Sequence, residues 1–266
     1  MRSRGFALLA VLWTVTVLGV AVASGAGLAR LGQRTTGNRI TMVRSRWAAE
    51  ACLAVVERRA EEGRLSDSSV VDLGRSVTCA WNVTRPDAWL DVNTVPRDAL
   101  ARLAAAVGVR AERAEQFAEA VAAGRRSRAF TDAQQLADLA GADARVLPFL
   151  TVDGSGRVDA MTASWPVLLS LPGMTPEAAG LVLQWRNAGR PFQSLDELGG
   201  AASAPARAAL HGSFPELAPL LAFGSGRMVV TATGWVGSYG RYPQATIEIV
   251  AQRLPNRLAV LRRRVR

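Results

Sequence analysis

The sequence has no lysine. All 32 basic residues among its 266 are arginine, set against 22 acidic residues for a formal net charge of +10. With abundant Arg, Ala, Gly and Val, this excess reads as a compositional bias and carries little weight as a nucleic-acid signature. It still suits an anionic partner surface, membrane or protein. Histidine occurs once, as His211, and cysteine twice, as Cys52 and Cys79. So few leave no zinc spacing and no histidine-based triad. His211, in AALHGSFPEL, has no nucleophile motif beside it and reads as structural or exposed. Phosphate loops and paired-carboxylate motifs are missing too. The composition points away from an enzyme.

Two further absences organise the N-terminal part. Charge is missing from Phe6 to Ala29, and proline from Leu28 to Glu62. The uncharged run exceeds the roughly 20 apolar residues that span a bilayer. It is also longer than the core of about 7–15 residues in a secretory signal. VASGA nonetheless fits a small-x-small cleavage site, so a cleaved signal stays open. Beyond the run, Ile40, Val43, Trp47, Ala51, Ala54 and Val55 recur at helical spacing. One helix is expected from about Phe6 to about Glu62, greasy all round at first and amphipathic afterwards. Its length would be roughly 85 Å at 1.5 Å per residue. Gly19, Gly25, Gly27, Gly32 and Gly37 weaken it locally.

A five-residue basic leader, then Gly5–Phe6, then an apolar helix that turns amphipathic, resembles the type IV pilin and pseudopilin superfamily. The resemblance implies cleavage after Gly5 by a prepilin peptidase and N-methylation of Phe6. Most members carry a glutamate where FALLAVLW has Ala10. Its loss matches one subgroup, the general secretion pathway protein K (GspK) family of type II secretion minor pseudopilins. Arg2 and Arg4 precede the run while Arg30, Arg34 and Arg39 follow it, so charge does not orient the span. The resemblance places the N-terminus in the cytoplasm and the rest in the periplasm.

The middle of the chain is duplicated. LDVNTVPRDALARL (Leu90–Leu103) aligns with VDAMTASWPVLLSL (Val158–Leu171) at an offset of about 68. AFTDAQQL (Ala129–Leu136) aligns with PFQSLDEL (Pro191–Leu198) at about 62. In the second copy Thr162 or Ser164 caps a short helix with Pro166 in its first turn, and LPGM turns the chain. Thr175 and Pro176 then start AAGLVLQWRNAG, and Ser194 caps a third helix behind Phe192. Each copy reads as a helix-hairpin-helix unit. Such units often hold DNA phosphates on hairpin N–H groups, but this hairpin has a lone Gly173 and no arginine. A protein-packing role is the better reading. Entry through DVNT resembles the SAM-like helical insertion of the protein K family, although the second copy has Met161 in place of the asparagine.

Strand patterns flank the repeat. Val77, Cys79 and Trp81 alternate with polar positions, Arg85–Asp87 turns, and Trp89–Val92 is expected to return as the partner strand. Further strands are expected at about Met228–Val236, Ala245–Arg253 and Arg257–Arg264, with Gly237–Gly240 and Pro255–Asn256 as turns. The terminal RRRVR reads as a charged sheet edge, which opposes aggregation.

The expected fold is α+β: a pilin-like helix on a small antiparallel sheet, with a large all-α insertion of two helix-hairpin-helix units. The boundaries are leader 1–5, membrane helix 6–29, helix continuation and first strands 30–95, insertion 96–222 (about 96–157 and 158–222), and final strands 223–266. In DGSGRVD, Asp153, Ser155 and Asp159 offer oxygens to calcium, without the distal bidentate glutamate of a calcium loop. A plain turn is the competing reading. Cys52 and Cys79 suit a disulfide in an extracytoplasmic region; two separate buried thiols suit the sequence equally. The implied function is a non-enzymatic minor pseudopilin, anchored in the inner membrane, that joins other minor pseudopilins at a pseudopilus tip. The competitors are a membrane-anchored DNA-binding protein for DNA uptake and a minor pilin of a type IV pilus.

Overall fold

The computed structural model describes residues 3–240, 244–254 and 257–265, with side chains from residue 11 onward except at 25 and 27–29. Helix α1 runs from Ser3 to Glu61, 59 residues without a break. At 1.5 Å per residue it is roughly 88 Å long. Its described side chains from Val11 to Ile40 are all exposed; burial begins at Ser45. Only the last third belongs to the folded body.

That third lies on a five-stranded antiparallel sheet. The strands are β1 (Ser68–Gly74), β2 (Val77–Thr84), β7 (Arg227–Val236), β8 (Ala245–Leu254) and β9 (Arg257–Val265), in the order β1-β2-β7-β8-β9. Ala48, Ala49, Cys52, Leu53 and Val56 of α1 meet Cys79 and Trp81 of β2, Val230 and Ala232 of β7, and Ile247 and Ile249 of β8. The helix comes close because Gly234 of β7 has no side chain. A Cβ there would sit 2.3 Å from the Ser45 carbonyl and 2.4 Å from the Ala49 nitrogen. Between β1 and β2 the chain turns through Arg75 and Ser76, with φ of 52° and 60°. Both lie in the left-handed region that a two-residue hairpin turn of type I′ requires.

Trp89–Val92 does not return as the partner of β2. The neighbours of β2 are β1, which the alternation argument missed, and β7. Residues Leu90–Asp91 form instead a two-residue strand, β3, parallel to β4 (Leu150–Thr151). The alternation of Val77, Cys79 and Trp81 was genuine, but SSVVDLG has no such pattern because its edge position leaves both faces largely exposed. Pro255–Asn256 lies outside the described residues.

Between β2 and β7 the chain makes a helical body with its own core. It comprises α2 (Arg97–Ala106), α3 (Ala111–Ser127), β5 (Val158–Asp159), α4 (Trp165–Ser170), α5 (Pro176–Asn187), α6 (Leu195–Ala201), α7 (Ala204–Gly212), α8 (Phe214–Leu217) and β6 (Leu221–Ala222). Leu100, Leu103, Phe117, Leu136, Leu168 and Leu198 are all fully buried in it. The TDAQQL stretch makes a 3-10 turn, Ala133–Leu136, where its counterpart makes α6; Asp132 caps it by accepting from Gln134 N–H at 2.9 Å. Thr175 and Ser194 cap α5 and α6 through Ala178 N–H and Glu197 N–H, both at 3.2 Å. Ser164 stands at the start of α4, but its hydroxyl is buried without a partner.

The duplication is written into the hydrogen bonds. Asp91 accepts from Asn93 N–H through Oδ1 at 3.0 Å and from Val95 N–H through its carbonyl at 2.8 Å. Asp159 does the same with Met161 N–H at 3.0 Å and Ala163 N–H at 2.8 Å. β3 pairs in parallel with β4, and β5 with β6. Arg125 of α3 donates to the Val95 carbonyl at 2.6 Å; Arg186 of α5 donates to the Ala163 carbonyl at 2.9 Å.

Candidate functional site

Two places carry the chain's distinctive chemistry: the seam where the helical body meets the sheet, and the last third of α1.

At the seam, Asp87 is fully buried. Its two oxygens accept from Ser155, from the N–H and from the hydroxyl, each at 2.7 Å. Asp91 sits close by, under Gly154, where a Cβ would come within 2.8 Å of the Asp91 Cβ. Burial pushes the Asp91 carboxyl above the usual range, and Asp87 adds to the rise, while the Asn93 N–H and Arg227 oppose it. Asp153 pairs with Arg262 of β9, and its carbonyl accepts from Arg227 Nε at 2.9 Å. Asp159 accepts from Gly224 N–H at 2.8 Å and Ser225 N–H at 3.3 Å. These bonds tie the insertion to the sheet.

Asp153, Ser155 and Asp159 therefore face three different sets of partners: Arg262, Asp87, and the Gly224–Ser225 backbone. In this arrangement they do not fit a calcium ion, which needs six to eight oxygens directed at one point. Among the described residues no group of three or more His, Cys, Asp or Glu is placed to hold a metal ion. The signal for the actual partner of Ser155 was present in the sequence. Asp87 and Ser155 stand 68 apart, the repeat offset itself.

Cys52 of α1 and Cys79 of β2 form a disulfide, fully buried between helix and sheet. Arg59, about two turns further along, lies over the Trp81 ring at 4.9 Å. On the opposite side of α1, Val43 and Trp47 are exposed. Gly5, Phe6 and Ala10 lie in α1, but their side chains fall outside the described residues. Among the described residues no helix is long and apolar enough to cross a membrane. The side chains at 6–10, 25 and 27–29, which complete the apolar run, are not among them.

The hairpins are poorly placed for phosphate. Gly173 in LPGM has φ 70°, but a Cβ there would meet the Ala209 carbonyl at 2.6 Å and Ser213 at 2.7 Å. The turn is packed against α7. Arg186, a candidate phosphate ligand by charge, donates instead to the carbonyls of Ala163 and Ala160. His211 is exposed on α7.

No protein-family model and no curated protein matches the sequence. Among solved structures, the chain is similar to a chain of the GspK-GspI-GspJ complex from the enterotoxigenic Escherichia coli type 2 secretion system. The two are 15% identical with a TM-score of 0.60, over 90% of this chain and 99% of that one. At that identity the likeness is one of overall fold.

Proposed function

We propose that the chain is a minor pseudopilin of a type II secretion system, similar to general secretion pathway protein K. The observation that carries the reading is the breadth of the fold likeness, over 90% of this chain and 99% of the neighbour. The leader and the apolar helix start, ending in Gly5–Phe6 without a following glutamate, support it independently. In this role a prepilin peptidase removes residues 1–5, the apolar start of α1 anchors in the inner membrane, and the sheet with its insertion stands in the periplasm. Other minor pseudopilins pack on α1 in a hetero-oligomeric tip complex that initiates the pseudopilus and supports export across the outer membrane.

The bulky insertion favours the tip, where nothing need stack above it. Its two copies are read as helix-hairpin-helix units that pack protein. The Gly173 turn, packed against Ala209 and Ser213, and the engaged Arg186 argue against the DNA-uptake reading. No catalytic role is assigned.

Mass spectrometry of the N-terminal peptide from the native membrane tests the proposal. A chain beginning at N-methylated Phe6 is expected. A chain that keeps Met1, or is cut near Ala26, overturns it.

A further inference from the structure

The helical body and the sheet keep separate cores. Leu100, Phe117 and Leu168 belong to one, Cys52, Trp81 and Ile247 to the other. Bodies joined without a large shared apolar interface move relative to each other unless something else holds them. Here arginines of the sheet do the holding. Arg227 of β7 donates to the Asp153 carbonyl at 2.9 Å, and Arg262 of β9 pairs with the Asp153 carboxylate. Both act at one residue. Arg264 of β9 reaches elsewhere, donating to the Thr131 carbonyl of the first copy at 3.1 Å. Asp153 and Thr131 border one hollow of about 320 Å³, walled by Trp89, Leu147, Leu150 and Val152. The contact along β9 is thus made of two polar ties beside unfilled space.

A bulge phases β9 for these ties. Val250 faces Arg262 while Ala251 faces Val260, so Leu261 is an extra residue. Leu258, ahead of it, packs on the α1 side. Unbroken alternation would send Arg262 and Arg264 to that side too. The bulge reverses the phase: Arg263 turns to Glu50 of α1, and Arg262 and Arg264 turn to the helical body. The arrangement carries a cost. Arg262 Nε is buried without a partner among the described residues, and an unmet buried donor is destabilising. Burial and the neighbouring Arg264 both disfavour the Arg262 charge.

We infer that Arg264 is the latch of a hinged insertion. While it holds Thr131, β9 fixes the helical body at one angle to α1, because Arg263 of the same strand is tied to Glu50. When it lets go, the body swings on its attachment at Asp153 and the hollow beside Trp89 opens. The inference concerns the folded part of the chain and stands whether or not the chain is a pseudopilin.

The test is a distance measurement by pulsed electron resonance on the full chain in detergent. Spin labels go on cysteines placed at Ser68 and Ala129, both exposed. Cys52 and Cys79 are bonded to each other and take no label. The parent should give one narrow distance. Arg264→Glu sets a carboxylate against Glu248 and the Thr131 carbonyl. It should shift the ratio of closed to open about tenfold or more toward open, and the distance should broaden. Arg257→Gln, on the same strand, is the control and should leave the peak narrow. Hydrogen exchange tells swinging from unfolding: α3 and β8 should keep their protection in the Arg264→Glu protein. A peak that stays narrow in Arg264→Glu overturns the inference. So does a parent that is already broad, a control that broadens equally, or a broad peak with protection lost in α3 or β8.

Discussion

Arg102 donates through Nε to the carbonyl of Ser170 at 2.8 Å, and the two residues occupy the same position in the two copies of the repeat. Equivalent positions of the two copies therefore meet at the boundary between them. Asp87 and Ser155, also 68 apart, touch in the same way. Helices α2 and α4, the first of each copy, begin at Arg97 and Trp165, again 68 apart. The first helices of the two copies, α2 and α4, pack against each other, so the copies share one core.

Arg102→Met should keep most of the apolar stem contact and lose the charged hydrogen bond. The expected loss is about 1.5–3 kcal/mol in stability of the helical body. Thermal unfolding followed by limited proteolysis within 97–217 measures it. An unchanged unfolding temperature would show that the bond between the copies contributes nothing.

The Cys52–Cys79 disulfide closes a separation of 27 residues. Chain-entropy arguments give roughly 3.5 kcal/mol for a loop of that size. Replacing both cysteines by alanine should loosen α1 from the sheet. Hydrogen exchange is expected to rise first in Ala48–Val56 while the insertion, which has a separate core, keeps its protection.

Gly234→Ala places a methyl group against the backbone of α1, which cannot move aside as a side chain can. Overpacking of this kind costs about 1–3 kcal/mol, more where backbone must shift. The variant should be among the most damaging single methyl additions in the sheet. Gly240→Ala, with nothing within 4 Å but a φ of 76°, is the comparison; its loss reflects the turn alone.

Asp91 gives a pH dependence of definite sign. Burial raises its folded pKa above the unfolded value, so between those two values the folded state binds the extra proton. Stability contributed by Asp91 is then lost as pH rises through that window. Asp91→Asn removes the charge and keeps an oxygen for the Asn93 N–H. At pH 8 the variant should unfold at a higher temperature than the parent, with the gap closing as pH falls below about 4. A gap that widens on acidification would contradict the account.

Much of this was legible beforehand. Apolar spacing located α1 to within a few residues of Ser3–Glu61, and alternation located β7, β8 and β9 almost to their ends. The repeat offset was readable because Asp91 and Asp159, and Thr94 and Thr162, perform identical local bonding. What escaped was set by tertiary partners. β1 is an edge strand with no buried face to leave a pattern. Leu90–Asp91 has too few residues to show which strand it joins. Arg125 and Arg186 look like surface cations, yet they bind carbonyls of the loop that opens each copy. For Asp153, Ser155 and Asp159, side-chain chemistry suggested a shared ligand, whereas the fold directs each to a different neighbour. The difference between Asn93 and Met161 also has its reason. Asn93 bonds the Phe130 backbone at 2.8 and 3.1 Å, while the matching Phe192 is held by stacking on Trp185 at 4.4 Å.

The chain leaves and re-enters the sheet on a single rung: Thr84 at the end of β2 faces Val229 near the start of β7. Everything between them is made before β7 exists. At about 5–20 residues per second of synthesis, β2 waits on the order of ten seconds for its inner neighbour. During that wait the C-terminal part of α1, the β1–β2 hairpin and both cysteines are already present, and the covalent link between Cys52 and Cys79 needs nothing that comes later. The order of birth thus favours a stapled half-sheet that holds its exposed edge in readiness while the insertion folds on its own core, after which β7 closes the gap.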